Sequence, residues 1–229
     1  MRKIQRLATI GVMAAMTVAL GACGSSATTA AAPSSSAAAA PATVAAAPTI
    51  AAASDGITTN DDVFGPACNM LPTGDAPGSL NNMGPQPVAS AASTNPLLTT
   101  LVTAVGAVPG LADTLNQQKA ITVFAPYNGA FDEVKTTVGD KAFNALLADP
   151  TKLGGLLSYH VVPKRFDAEG LVDAGKVTEL AGGDVTIGGT AAAPTLTSGN
   201  GTEAKVLCGN IPTSNATVFV IDKVLMPAG

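Results

Sequence analysis

The spacing of apolar residues divides most of this chain into a helical stretch followed by a β stretch. Asn95-Pro96 reads as the N-cap and first position of a helix, and Leu97, Leu98, Leu101, Val102 and Val105 then recur at helical spacing. Residues 109–115 predict a second short helix. Residues 120–124 read as a strand that Pro126 stops, and 128–134 as a helical turn. Residues 139–147 place Phe143, Leu146 and Leu147 on one face, and 151–159 predict a further helix despite Gly154 and Gly155. A short strand over 160–162 and a short helix over 167–174 follow, the latter with Leu171 and Val172 inward. Beyond Gly175 the segments 176–180, 184–187, 194–197 and 204–207 are short β stretches parted by Gly-Gly or Gly-Asn turns. Residues 217–225 form a longer, strongly β-branched strand. Helices first and strands afterwards predict an α+β domain, with helices packed on an antiparallel sheet.

Ahead of this domain the pattern changes twice. Arg2, Lys3 and Arg6 precede an uncharged apolar run over residues 7–20, which ends in Leu20-Gly21-Ala22-Cys23. That is the layout of an export signal over residues 1–22. Its 14 residues fall short of the roughly 20 needed to span a bilayer, and an ordinary signal with a chance cysteine is the other reading. Leu-Gly-Ala-Cys resembles the bacterial lipobox, which implies that Cys23 is acylated and becomes the first mature residue. Two or more acyl chains anchor stably where one does not. Residues 24–54 hold 15 Ala, 10 Ser or Thr and three Pro, with no charge and no aromatic ring. Pro33, Pro41 and Pro48 cut this segment into pieces too short for an isolated helix. It is expected to be a disordered stalk reaching between about 30 Å and about 95 Å, and its Ser/Thr/Pro content resembles O-glycosylated stalks. Residues 55–86, rich in Asp, Asn, Gly and Pro, read as an irregular lead-in carrying Cys68, and the domain itself as 87–228.

Charge and cysteine count narrow the function. Loss of residues 1–22 removes three positive charges and no negative ones, taking the formal net charge from −4 to −7. An acidic protein with nine scattered Lys and Arg has no electrostatic footprint for nucleic acid. Three cysteines are an odd number. With Cys23 taken by lipid, Cys68 and Cys208 remain as a pair that an oxidising exterior favours bridging. Two thiols and one distant histidine make a poor metal site, and no cofactor is expected.

Three segments carry identity. Residues 122–131, with Thr122, Phe124, Ala125, Pro126, Asn128 and Phe131, resemble the first signature of fasciclin domains. Tyr159-His160 matches that family's central Tyr-His pair. Residues 215–227, with Ile221, Asp222, Leu225 and Pro227, resemble its second signature. The lipobox, stalk, cysteine pair and single domain narrow the resemblance to the fasciclin-domain lipoprotein antigens of mycobacteria. Tyr127-Asn128-Gly129 departs from the family's usual Thr-Asn followed by a larger polar residue. Read bottom-up, the motifs are structural first: Asn128 is placed to cap the turn that follows it, and Asp222 needs a partner if buried, for which His160 is a candidate. The resemblance adds a weaker implication, that Tyr159 and His160 take part in adhesion, as that segment does in related animal domains.

His160 is the only histidine. Ser158 lies beside it without a Gly-x-Ser-x-Gly elbow, and Asp132-Glu133 read as a solvated helix face. Gly182-Gly183 and Gly188-Gly189 read as turns, and no nucleotide or calcium motif is present. The expectation is an exported, lipid-anchored, monomeric surface protein that is not an enzyme. It acts by adhesion to a protein or cell-surface receptor, the alternative being small-molecule or lipid binding in a groove beside the sheet.

Overall fold

The computed structural model describes residues 55–228. The signal, Cys23 and the Ala/Ser/Thr segment lie outside the described residues. Four short helices come first: α1 (Leu80–Met83), α2 (Val88–Thr94), α3 (Thr99–Gly106) and α4 (Leu111–Gln117). Strand β1 (Ile121–Pro126) follows, then α5 (Asn128–Val138), α6 (Asp140–Leu147) and α7 (Pro150–Ser158). After β2 (Val161–Val162) and α8 (Ala168–Ala174) come β3 (Lys176–Thr178), β4 (Asp184–Thr190), β5 (Ala193–Thr197), β6 (Glu203–Pro212) and β7 (Ala216–Ile221).

The local signals account for much of this. Asn95 accepts from Leu97 N–H at 3.0 Å and opens a 3-10 turn, Pro96–Leu98, that runs into α3. Asp149 caps α7 ahead of Pro150, and Asp167 caps α8 by accepting from Gly170 N–H at 2.7 Å. The segment 128–134 is more than a turn: α5 continues to Val138 and ends at Gly139, whose φ of 86° a glycine adopts without strain.

The sheet order is β2-β1-β7-β6-β5-β4-β3. The expected antiparallel pattern holds everywhere except between β1 and β7, which run parallel, Ile121 opposite Ala216 through Pro126 opposite Ile221. Both strands are buried at every position, as strands covered on two faces must be. Their alternate side chains feed two cores. Ile121, Val123, Ala125, Val218 and Val220 face the helices. Phe124, Phe219 and Ile221 face a second cluster with Val185, Leu196 and Leu225. The edges of the sheet meet: Leu180 N–H, two residues past β3, donates to Val161 O of β2 at 2.7 Å. The sheet is therefore almost a barrel.

The boundary drawn at residue 87 falls inside one continuous core. Met83 and Leu71 are buried with the helix-facing cluster. Phe64 and Gly209 exchange both backbone hydrogen bonds, at 3.3 and 2.8 Å, and Thr217 Oγ1 donates to Gly56 O. Cys68 and Cys208 are bridged, with Cα atoms 5.0 Å apart. Segment 55–86 is irregular because Gly and Pro bar long elements, yet it is packed like the rest. Helix α2 has no counterpart in the sequence pattern, since its buried face is only Val88 and Ala91. Strand β6 outruns the expected end at 207 and reaches Pro212, bulging around Cys208 and Asn210.

Candidate functional site

Tyr159 and His160, for which the family resemblance carries a weaker implication of adhesion, are both buried, at 1% and 3% exposure. Tyr159 projects from the end of α7 into the barrel. Its hydroxyl donates to Asp184 O at 3.0 Å and accepts from Gly199 N–H at 2.9 Å. The ring lies so close to Gly183 that a Cβ there would sit 2.2 Å from Cε2. His160 Nδ1 lies 2.8 Å from Leu156 O, and its Nε2 accepts from Leu225 N–H at 3.0 Å. These partners require a neutral ring with its proton on Nδ1. Burial agrees, pushing His160 down to about 4 while the Leu156 carbonyl pulls the other way. The pair clips α7, β4 and the C-terminal segment together and presents nothing to a partner.

Two further expectations are corrected. Asp222 is not bonded to His160. Its carboxylate accepts from Lys205 N–H at 2.7 Å, and its N–H donates to Lys205 O, so it locks β6 to the end of β7. Asn128 does not cap its own helix. Its Oδ1 accepts from Thr100 N–H and the Thr99 hydroxyl, both at 3.0 Å, and its Nδ2 donates to Pro96 O at 3.0 Å. Asn128 therefore caps α3 from a neighbouring element. Replacing it with Ala is expected to cost about 1–2 kcal/mol in urea unfolding, with Asn128→Asp, which keeps the acceptor, recovering part of the loss.

The other motif residues are structural as well. Thr122 Oγ1 donates to Lys164 O and accepts from Phe166 N–H, both at 2.8 Å. The Phe124 and Phe219 ring centroids are 6.1 Å apart. Ala125, Pro126, Phe131, Ile221 and Leu225 are buried, and Pro227 is exposed. Asn215 joins the helices to β7: its Oδ1 accepts from Val88 N–H at 2.8 Å, while its Nδ2 donates to Leu115 O and Gln118 O at 2.8 and 2.9 Å. Among the described residues no group of three or more His, Cys, Asp or Glu is placed to hold a metal, and no helix alone is long and apolar enough to cross a membrane.

Two features escaped the sequence reading. Glu179, in the tight turn after β3, is 2% exposed, and neither carboxylate oxygen has a hydrogen-bond partner. Burial, with repulsion from Asp184, pushes its carboxyl up to about 8. The second is an apolar cavity of about 290 Å³ beneath α2, α3 and α4. Val123, Phe124, Leu157, His160 and Val161 form its floor, and Ser93 and Gly106 stand exposed at its rim.

With this geometry in place, comparison with known proteins decides the family. The fasciclin domain profile matches residues 96–227. The chain belongs to the fasciclin-domain family. Among the relatives of this fasciclin protein, immunogenic protein MPB70 of Mycobacterium bovis is 40% identical over 174 residues, covering 72% of this chain and 83% of that one. Cell surface glycolipoprotein MPB83 of Mycobacterium bovis is 39% identical over 179 residues, covering 72% and 73%. Protein sll1483 of Synechocystis is 31% identical over 140 residues, covering 61% and 73%. In fold, the chain is similar to the FAS1 domain pair from the insect cell adhesion molecule Fasciclin I. The TM-score is 0.54 at 15% identity, over 62% of this chain and 51% of that one. The match thus spans about half of that chain, and the shared feature is the fasciclin fold.

Proposed function

We propose that this fasciclin protein is lipid-anchored through Cys23 at the cell surface and works there by adhesion or protein interaction, without catalysis. The observation that carries the reading is the open face of the antiparallel half of the sheet. Along β3, β4 and the start of β6, residues alternate between core and solvent. Among the described residues no other element covers one face there. It displays Lys176, Thr178, Thr186 and Lys205, with Thr195 and Thr197 half-exposed beside them. Such an uncovered polar face can meet a partner with little rearrangement.

Other facts support the same reading. The sole histidine is fully engaged in holding the fold, so no relay of the Ser-His-Asp kind can be assembled around it. Relatives matching most of this chain are named an immunogenic protein and a cell surface glycolipoprotein. The Leu-Gly-Ala-Cys ending of the apolar run supports acylation of Cys23, and the uncharged segment behind it would act as a tether.

Two measurements test the reading. Cys23→Ser should move the protein from the membrane fraction to the medium; continued retention by membranes would remove the anchor. The full chain should bind host cells, matrix proteins or another surface component saturably. Lys at both Thr186 and Thr197, which face each other across β4 and β5, should weaken that binding about tenfold without lowering the melting temperature. Absence of saturable binding across such a panel would sink the interaction role.

A further inference from the structure

We propose that the cavity beneath α2, α3 and α4 binds the single hydrocarbon chain of a neutral lipid, an acyl chain ending in a hydroxyl or ester head group. Its volume, about 290 Å³, is close to the lower end of small-molecule sites, and its lining is predominantly apolar, as such sites are. Apart from two groups at the rim, the polar atoms facing inward are already used. Both His160 nitrogens have partners, Ser93 Oγ donates to Ser90 O at 2.6 Å, and Asn116 Oδ1 accepts from Ala89 N–H at 3.0 Å. A water needs two to four polar partners to be held, and the floor offers none. The space therefore suits hydrocarbon and not solvent.

The rim sets the head group. Among the described residues no hydrogen bond engages the Ser90 hydroxyl or the Asn116 side-chain nitrogen, and both line the cavity. Together they can donate to and accept from a hydroxyl or ester. No Lys, Arg, Asp or Glu lines it, so an ionised head group would sit there unpaired. The site does not depend on the anchor or on the open sheet face.

The test uses the full chain carrying Cys23→Ser, which brings no acyl chain of its own, purified without detergent. Titration calorimetry with a medium-chain monoacylglycerol should give saturable binding of one equivalent and a raised melting temperature. The matching ionised fatty acid and two-chain phospholipid vesicles should bind at least about tenfold more weakly. Ala112→Trp and, separately, Val102→Phe fill the cavity. A filled variant that melts no lower than its parent should lose monoacylglycerol affinity by more than about tenfold. Absence of saturable binding by the parent would overturn the site whether or not the variants fold. Undiminished binding by both variants would do the same. Equal or tighter binding of the fatty acid would overturn the assignment of a neutral head group.

Discussion

Replacing Cys68 and Cys208 together with Ala is expected to lower the stability of this fasciclin domain by up to about 5 kcal/mol, because the bridge closes a loop of about 140 residues. Cys208 is 0% exposed, on the bulged part of β6, and Cys68 lies on the segment that reaches it from the other end of the chain. In the unfolded chain those ends are far apart, so the cross-link removes many conformations. In the folded chain it fastens residues 55–86 against β6 at the point where Phe64 and Gly209 pair. At roughly 2–4 °C per kcal/mol for a domain of this size, melting should fall by about 10–20 °C. The unmodified protein should show a similar fall on reduction. A double variant that melts within about 2 °C of its parent would show that the bridge contributes little. Limited proteolysis adds a local reading: cleavage within residues 55–80 should rise before cleavage elsewhere.

The second large effect is a stability profile with two opposed slopes. His160 is held neutral at about 4 in the fold and returns to its ordinary 6.5 when unfolded. The unfolded chain then binds the extra proton, so stability is complete above pH 6.5 and declines as pH falls toward 4. The loss is on the order of 3 kcal/mol. Glu179 behaves in reverse. Its folded value near 8 lies above the ordinary 4.5, so stability is greatest below pH 4.5 and declines as pH rises to 8, by roughly 4 kcal/mol. Between 4.5 and 6.5 the slopes cancel, and the protein should be most stable there. Glu179→Gln removes the alkaline limb: at pH 8 it should be more stable than its parent by roughly 4 kcal/mol, and at pH 4 by almost nothing. Urea unfolding across that range reads both limbs. A parent profile flat from pH 5 to pH 8 would show that Glu179 is not held protonated.

The elements that could be read ahead of the structure were those whose burial repeats along the chain. β7 announces itself because every residue from Ala216 to Ile221 is buried, and α7 and α8 because Asp149 and Asp167 cap them. What could not be read was built across the chain. The parallel pairing of β1 with β7 leaves no local mark, since a strand buried on both faces looks the same in either direction. Asn128 sits in the position of an ordinary cap, yet serves a helix that begins 29 residues earlier. Tyr159 and His160 read as structural first, yet the partners that meet them inside the barrel, at Asp184, Gly199 and Leu225, come from distant segments. The cavity is the same case: four helices and two strands supply its mostly apolar lining, and none of those segments has an unusual pattern alone.

An interior strand of the sheet, β7, is also the last of its strands in sequence. β7 pairs with β1 on one side and β6 on the other, and its side chains enter both cores. Neither core can close until Ala216–Ile221 are in place. Contacts of such long sequence separation form late and slowly. A domain whose keystone strand comes last of its sheet in sequence cannot complete either core from its earlier strands alone.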